Sequence, residues 1–427
     1  MADSTTTSII LPRPIEGATT ETDDGSKEPE NDQPLSNRLE IDNDYEVANS
    51  LITFVQTVYR LDVPMDVRLE SVNHYHILGE GASFIVRRDF RFGQVLTVPG
   101  RSEVEGVLKV SRQGFSSGFA KKFKRTAFVT LMRELSVLGH QNLRKHPNII
   151  NLQKVGWGVT ALSPLEICPV LYVERAPHST LSDFEKSGTV LDIVSKQRLC
   201  LDICRGIEAL HKYGIVHGDI KAQNVLIFGD AENGFVAKLS DFGCSIILDT
   251  YSKSDENDKV RMPGFSPPWN APEALDSGLP ISQLPQTDLY SLGLLIWRIL
   301  VFHDPFNIFD LPLNPAIRKQ KIREILALPH FPALVVHFIT DPHPHMNRQE
   351  RDLYAIIFST TLSFEPSKRY LNTIISSLQS LISGPETPAG KLSIAEAPDK
   401  DTDFLKVPAL PVTLDRVSTI IFQMFIS

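Results

Sequence analysis

The sequence predicts an α+β fold in which a small β-rich part is followed by a larger, mostly helical part. Between residues 72 and 172, short runs rich in β-branched and aromatic residues have the length of strands, and one long helical stretch at 119–140 interrupts them. After residue 181, apolar residues recur at helical spacing, most clearly at 191–213, 291–302, 317–326 and 352–361. The composition, 42% hydrophobic and 22% charged, is that of a globular protein with a buried core.

The two ends of the chain differ from this middle part. Residues 1–44 are rich in Thr, Ser, Pro and acidic residues and are predicted to be a disordered acidic tail, because they offer little apolar surface for a core. Residues 45–71 begin with apolar residues at helical spacing and are predicted to be a helical lead-in. Residues 384–427 have the composition of a linker and tail, and their short apolar end is expected to dock rather than to anchor in a membrane. The folded domain is predicted at 72–383, with its β-rich lobe at 72–176 and its helical lobe at 177–383.

The charge distribution bears on the class of partner, although a local basic patch stays possible. The formal net charge is −8, and residues 1–45 alone carry 11 acidic and 3 basic side chains. The remaining residues carry 40 of each sign. Because no global basic surplus exists, we expect neither a nucleic acid nor a membrane as partner.

Cysteine usage and the apolar runs bear on the compartment. The chain has only four cysteines, without paired metal-type spacing, which predicts a reducing environment. The N-terminus lacks the basic start and apolar run of a secretory signal. The strongest apolar run, Leu289 to Phe302, contains Arg298 and is shorter than the ~20 residues of a membrane-spanning helix, so it is predicted to be a buried core helix. We expect the protein in the cytoplasm or nucleus.

The chemistry is concentrated in three short motifs. The stretch 217–224 reads His-Gly-Asp-Ile-Lys-Ala-Gln-Asn and precedes an apolar run. Asp-Phe-Gly follows at 241–243, and Ala-Pro-Glu follows at 271–273. In this order and at these separations, the motifs resemble the catalytic loop, the metal-binding triplet and the end of the activation segment of protein kinases. The resemblance extends over residues 72–383 and implies the bilobal kinase fold.

This resemblance assigns roles in phosphoryl transfer, a reaction that needs positioned charge around the phosphates. Asp219 is expected to accept or orient the proton of the substrate hydroxyl, and Lys221 to neutralise the γ-phosphate. Asn224 and Asp241 are expected to hold Mg²⁺, a hard cation that favours oxygen ligands. The implied partners are ATP with Mg²⁺ and a protein substrate.

The resemblance also implies a nucleotide site in the β-rich lobe. The stretch 79–86 resembles a glycine-rich loop, in which absent side chains let backbone amides approach phosphates. It departs from the family pattern at Phe84, which occupies the place of the third glycine, and by itself the motif is more often a simple turn. The expected nucleotide-binding residues of this stretch are Gly79, Glu80, Gly81, Ala82, Ser83, Phe84 and Val86.

Two charged residues and the strand that leads into the helical lobe complete the expected nucleotide site. Lys109 lies within an apolar strand and resembles the lysine that binds the α- and β-phosphates, and Glu134, on the predicted helix, is expected to pair with it. Without the neighbouring motifs, Lys109 would be interpreted as a surface lysine of a strand, and Glu134 as a charge on the solvent-exposed face of a helix. The backbone groups of Glu174 and Ala176 are expected to bind adenine, with Val173 at the back of the pocket.

Further matches concern the architecture and the acceptor. Asp288 resembles the aspartate that fixes the catalytic loop, and Glu273 and Arg369 resemble the ion pair that closes the helical lobe. Lys221, two residues after Asp219, and Ser266 resemble the pattern of serine/threonine kinases. Gly218 stands where many kinases carry an arginine.

Two other classes of function stay open from the sequence. His-Gly-Asp also occurs in aminoglycoside and other small-molecule phosphotransferases, although Lys221, Asp288, Arg369 and the motifs at 241–243 and 271–273 favour a protein kinase. The second alternative is a pseudokinase, a scaffold that binds nucleotide without turnover, and only Phe84 hints at it.

Overall fold

The computed structural model describes residues 50–71, 76–80, 84–88, 106–111, 125–160, 166–251, 259–275, 278–342 and 345–383. The chain divides into two compact units. The first contains the chain up to residue 175 together with 242–253, and the second contains 176–241 together with the chain from 254 onwards. The predicted tails at 1–44 and 384–427 lie outside the described residues. The predicted α+β class, with a β-rich N-terminal region and a helical C-terminal region, is confirmed.

The first unit is built around a six-stranded sheet. Its strands are β1 (Met65–Ser71), β2 (Ile77–Glu80), β3 (Phe84–Arg88), β4 (Gly106–Ser111), β5 (Leu152–Thr160) and β6 (Glu166–Glu174). The spatial order is β1-β5-β6-β4-β3-β2, and all neighbours are antiparallel except β1 and β5, which are parallel. Helix α2 (Arg125–Leu138) belongs to this unit. Alternate side chains of β4 and β6 form a buried cluster, which consists of Leu108 and Val110 of β4 and Cys168, Val170 and Tyr172 of β6.

The sheet begins earlier than the sequence predicted. Residues 50–60 form helix α1, as expected for a helical lead-in, but Met65–Ser71 is a strand of the sheet rather than part of that lead-in. Pro64 precedes the strand, and the sequence MDVRLES alternates apolar and polar residues with the period of a strand. The helical pattern of residues 50–60 therefore does not continue into Met65–Ser71, where the alternation favours a strand. The β5 edge of the sheet is thereby covered by β1.

Helix α1 and β1 are fastened to the rest of the first unit by packing and polar contacts. The buried Phe54 ring meets Trp157 of β5 edge to face, with 5.4 Å between ring centroids. Lys154 of β5 forms an ion pair of 3.0 Å with Asp66 of β1. The Arg144 guanidinium donates to the carbonyl of Asp62 at 2.9 Å and also to that of Leu61.

The second unit is mostly helical. Its helices are α3 (Leu181–Phe184), α4 (Ile193–Lys212), α5 (Leu284–Val301), α6 (Pro315–Leu326), α7 (Phe331–Thr340), α8 (Arg348–Thr361) and α9 (Leu371–Ser383). Nearly every residue of α5 is buried, so the predicted buried core helix is confirmed and extends further toward the N-terminus than expected. Asp192 caps α4 by accepting a hydrogen bond from the Ser195 amide at 2.6 Å, which fixes where the helix begins.

Short strands connect these helices and carry the chemically important loops. In the second unit they are β7 (Ile215–Val216), β8 (Val225–Asp230), β9 (Gly234–Leu239), β11 (Lys259–Val260) and β12 (Leu279–Pro280), whereas β10 (Ile246–Ile247) lies in the 242–253 part of the first unit. Strands β8 and β9 form a hairpin directly after the 217–224 stretch. Burial raises the pKa of the Cys200 and Cys204 thiols in α4, so neither is a reactive thiolate. Over the described residues, no single helix meets the length and hydropathy needed to cross a bilayer, and only the pair α6 and α7, bent by 97°, does so jointly.

Candidate active site

In the first unit, Lys109 and Glu134 form the predicted ion pair. Lys109 lies in β4 and Glu134 in α2, and Lys109 Nζ is 2.5 Å from Glu134 Oε1. The Glu134 side chain is fully buried and that of Lys109 is 13% exposed. A buried carboxylate is tolerated only with partners that offset its lost hydration, and the lysine supplies one.

The second carboxylate oxygen of Glu134 holds the backbone of the Asp-Phe-Gly triplet. The Phe242 amide donates to Glu134 Oε2 at 2.6 Å, and the Phe242 side chain is fully buried. Glu134 therefore connects Lys109 to the residue that directly follows Asp241. The sequence predicted the lysine contact, whereas the amide contact joins two distant segments and has no local sequence signal.

The described part of the glycine-rich stretch lies beside Lys109. Gly79 and Glu80 end β2, and Val86 of β3 lies opposite both Gly79 and Lys109 in the strand register. Phe84 is buried, and its ring centroid is 4.7 Å from Lys109 Nζ. The aromatic ring that replaces a glycine thus contacts the lysine ammonium through a cation–π interaction. The candidates Gly81, Ala82 and Ser83 lie outside the described residues.

The predicted adenine-binding residues lie at and after the end of β6. Glu174 is the last residue of β6, and its amide donates to the Asn151 carbonyl at 3.1 Å. Its carboxylate accepts from the Asn151 amide at 2.8 Å. Ala176 follows two residues later, and its carbonyl accepts from the Ser179 amide at 3.3 Å. Val173 is buried in the same strand.

In the second unit, Asp219 and Lys221 are in direct contact. Lys221 Nζ donates to Asp219 Oδ2 at 2.7 Å and to Ser266 Oγ at 2.8 Å. Asn224 Nδ2 donates to the same Asp219 oxygen at 2.9 Å and to the Asp219 carbonyl at 2.8 Å. The structure therefore brings Asp219, Lys221 and Asn224 together, and Ser266 is in contact with Lys221.

The 217–224 stretch is held by Asp288 in the first turns of α5. The amides of His217 and Gly218 donate to Asp288 Oδ2 and Oδ1 at 2.8 and 2.9 Å, and His211 Nε2 is 2.9 Å from Oδ2. Asp288 is 1% exposed, so these contacts replace its hydration. Gly218 has a φ of +76°, a conformation that glycine adopts without a Cβ clash. The predicted anchoring role of Asp288 matches this geometry.

The ring of His217 holds the 217–224 stretch through two hydrogen bonds. The ring is fully buried, with Nε2 3.1 Å from the Ser240 carbonyl and Nδ1 3.3 Å from the Asp219 amide. The carbonyl can only accept and the amide can only donate, so a neutral ring protonated on Nε2 satisfies both contacts. The sequence named His217 as part of the motif but assigned it no role.

The two candidate metal ligands offer suitable donor atoms. The Asn224 amide nitrogen is committed to Asp219, which leaves its oxygen as the atom for a cation. Asp241 is exposed and has a φ of +64°, a strained conformation of the kind found at functional sites. The described residues contain no group of three or more His, Cys, Asp or Glu side chains that could hold a metal by themselves.

The predicted Glu273–Arg369 pair is also present in the second unit. Arg369 donates to both carboxylate oxygens of Glu273, at 2.5 and 3.1 Å. A second buried pair was not predicted: Arg298 of α5 donates to Glu185 at 2.6 to 3.0 Å. An arginine inside an apolar helical run was the available signal, because such a charge needs a partner.

Comparison with known proteins agrees with this geometry. The family model of the protein kinase domain matches residues 106–379. The chain is 29% identical over 262 residues to fibroblast growth factor receptor 1 of Dugesia japonica and 29% identical over 239 residues to the probable serine/threonine-protein kinase pats1 of Dictyostelium discoideum. It is 30% identical over 216 residues to ephrin type-B receptor 1 of Gallus gallus. These matches cover 58%, 54% and 49% of the chain but 26%, 6% and 19% of the relatives. The chain therefore belongs to the protein kinase domain family.

Proposed function

We propose that this kinase transfers the γ-phosphate of ATP to serine or threonine hydroxyls of protein substrates. The observation that carries the proposal is the position of Lys221, whose ammonium bridges Asp219 and Ser266 at 2.7 and 2.8 Å. This places a carboxylate beside a cation. Phosphoryl transfer needs a carboxylate to take the acceptor proton and a cation to neutralise the phosphate.

Asp219 is suited to act on the acceptor. Lys221 and Asn224 both donate to Oδ2, so among the contacts of the described residues the other oxygen, Oδ1, is left for the substrate hydroxyl. The hydroxyl oxygen forms a bond to the γ-phosphorus as the bond to the β,γ-bridging oxygen breaks. The hydroxyl proton passes to Asp219, and ADP leaves with the electron pair of the broken bond.

The remaining charges serve the phosphates and the metal. Lys221 and Lys109 would neutralise phosphate oxygens, and Asn224 and Asp241 would hold Mg²⁺ through hard oxygen donors. When bound, Mg²⁺ supplies positive charge that stabilises the phosphates during transfer. Glu134 keeps Lys109 in place through their 2.5 Å contact.

The preference for serine and threonine rests on Lys221 and Ser266. Both positions resemble the pattern of serine/threonine kinases, and their side chains are in contact. The similar proteins do not decide the acceptor, because two are receptors by name and one is a probable serine/threonine-protein kinase. The acceptor class therefore needs a direct measurement.

Replacing Asp219 by Asn tests the catalytic assignment. We expect transfer from radiolabelled ATP to a generic protein substrate to fall about 100-fold or more, because the amide cannot take the proton. ATP with Mg²⁺ should still raise the melting temperature of the variant, since Asp219 acts on the acceptor. Asp352→Asn makes the same chemical change at an exposed site on α8 and serves as the control. Transfer by Asp219→Asn within a few-fold of wild type would remove Asp219 from this role.

The products of the wild-type reaction separate the remaining alternatives. Phosphoserine and phosphothreonine in the hydrolysed product support the proposal, whereas phosphotyrosine alone contradicts the acceptor class. Stabilisation by ATP without any transfer would identify a pseudokinase. Transfer to an aminoglycoside and to no protein would identify a small-molecule phosphotransferase.

A further inference from the structure

Phe84 and Lys109 lie on the same face of the sheet in the first unit. In the antiparallel pairing of β3 with β4, Val86 lies opposite Lys109 and Phe84 lies opposite Ser111. Because side chains alternate between the two faces of a strand, Phe84 and Lys109 are diagonal neighbours on one face. An aromatic ring and a lysine side chain are long enough to meet across that diagonal. They do meet here, with 4.7 Å between Lys109 Nζ and the ring centroid.

The ring and the ammonium group are both largely removed from water. Phe84 is 5% exposed, and the Lys109 side chain is 13% exposed. A cation over the face of an aromatic ring is attracted by the negative charge of that face, and the attraction is stronger when water is excluded. The Phe84 ring therefore stabilises the ammonium of Lys109 at the place where it lies.

The ring adds a second restraint on Lys109 without cancelling its charge. The first restraint is Glu134, whose Oε1 is 2.5 Å from Lys109 Nζ. A second carboxylate in the place of the ring would offset the positive charge that phosphates require, whereas an aromatic ring is neutral. A glycine, which the family pattern has in the place of Phe84, has no side chain to make this contact. The departure from the pattern thus brings a new contact to the lysine.

We propose that Phe84 is a positioning residue, whose ring holds the Lys109 ammonium where it binds the α- and β-phosphates of ATP. Phe84 acts through Lys109 and is not itself a catalytic residue. The choice of ATP as the ligand of Lys109 rests on the proposed function. The charge on the face of the ring, and not only the volume of the ring, then contributes to the affinity for the phosphates.

Fluorinated phenylalanines at position 84 separate the charge on the ring face from packing. Each fluorine atom withdraws electrons from the ring, while the shape of the side chain changes little. We expect the dissociation constant of ATP with Mg²⁺, measured by titration calorimetry on the full chain, to rise stepwise with one, two and three fluorine atoms, by about fivefold in total. The dissociation constant of adenosine should stay the same, because adenosine has no phosphate for Lys109 to bind.

The natural variant Phe84→Leu removes the ring but keeps an apolar side chain. We expect it to weaken ATP by about fivefold or more and to leave adenosine unchanged. The same three fluorinated residues at Phe358 are the matched control. Phe358 lies in α8, is fully buried and has no assigned part in binding nucleotide, so neither dissociation constant should change.

Three results overturn the assignment of Phe84. Equal ATP affinity across the fluorinated series would show that the ring face does not act on Lys109. An equal loss of affinity for ATP and adenosine would show that the substitutions disturb the whole nucleotide site. Tighter binding of ATP by Phe84→Leu would show that the ring obstructs the phosphates.

Failure of the proposed function gives a different result. A wild-type chain that binds ATP but transfers phosphate to no protein contradicts the proposed function, and the comparison of ATP with adenosine still decides the role of Phe84. A wild-type chain that does not bind ATP overturns the role of Phe84 as well, because Lys109 then has no phosphate to bind.

Discussion

At the scale of single residues, Glu134 holds two separate parts of the candidate site. One carboxylate oxygen binds Lys109 and the other accepts from the Phe242 amide. The residue is fully buried, so both contacts are made away from water and are stronger than on a surface. The negative charge is thus needed for Lys109, whereas the Phe242 amide needs only an acceptor.

Glu134→Gln separates these two functions. The amide oxygen can still accept from Phe242, but the charge that holds Lys109 is lost. We expect kcat/KM for ATP, measured from initial rates of transfer, to fall about tenfold or more, equivalent to ~1.4 kcal/mol or more in the barrier. Glu208→Gln makes the same change on the exposed side of α4 and should leave the rate unaltered. A Glu134→Gln enzyme as active as the Glu208→Gln control would show that Lys109 does not depend on this charge.

At the scale of elements, the N-terminal segment of α1 and β1 is part of the sheet unit. Asp62, between these elements, has a φ of +50°, and its carbonyl accepts from Arg144. Arg144 also donates to the carbonyls of Leu61 and, at 3.1 Å, of Gly139, which directly follows α2. The same guanidinium therefore ties the turn after α1 to the end of the helix that carries Glu134.

Arg144→Ala tests this connection. Three carbonyls lose a charged donor, and we expect a loss of about 2 kcal/mol in the free energy of unfolding. For a folded domain of roughly 300 residues that corresponds to a fall of about 3 °C in melting temperature. Arg348→Ala removes an arginine whose side chain is 96% exposed and should change the melting temperature by less than about 1 °C. Equal melting temperatures for the two variants would mean that Arg144 does not fasten the segment.

The elements differ in how well the sequence predicted them. Helices α4 and α6 were predicted within two residues of their bounds, because their apolar residues recur clearly and their first turns are capped by Asp192 and Asn314. Strand β5 and helix α7 were not predicted. Helix α7 is a nearly continuous apolar run, from which the sequence alone does not distinguish a helix from a strand. Strand β5 contains two glycines, which weaken the sequence signal of a strand.

At the scale of the whole molecule, a contact could be predicted from the sequence when its two residues lie close together along the chain. Asp219, Lys221 and Asn224 lie within six positions of each other, so their spacing alone indicated that they act together, and their contacts are present. The contact of Glu134 with Phe242 and the contacts of Arg144 with Leu61 and Asp62 depend on segments far apart in sequence. Such features arise from packing and have no motif of their own.

The Glu273–Arg369 pair shows what a motif residue contributes to the stability of its unit. The Arg369 side chain is fully buried, and besides Glu273 it donates to the carbonyls of Gln286, at 3.0 Å, and Ser363, at 2.7 and 3.0 Å. Its guanidinium also lies over the Tyr290 ring, 5.0 Å from the centroid. One planar group thereby joins three separate segments, which a lysine ammonium cannot reproduce.

We therefore expect Arg369→Lys to destabilise the protein almost as much as a full loss of the pair, although the charge is retained. Breaking a buried pair costs about 3 to 5 kcal/mol, and we expect at least about 3 kcal/mol here in the free energy of unfolding measured with urea. The matched control is the neighbouring residue: Lys368 pairs with Glu365 at 2.8 Å, but both side chains are 63% exposed. Lys368→Ala should cost less than about 1 kcal/mol, because water screens that pair. If Arg369→Lys and Lys368→Ala lower the urea midpoint equally, the forked hydrogen bonds of Arg369 do not contribute to stability beyond its charge.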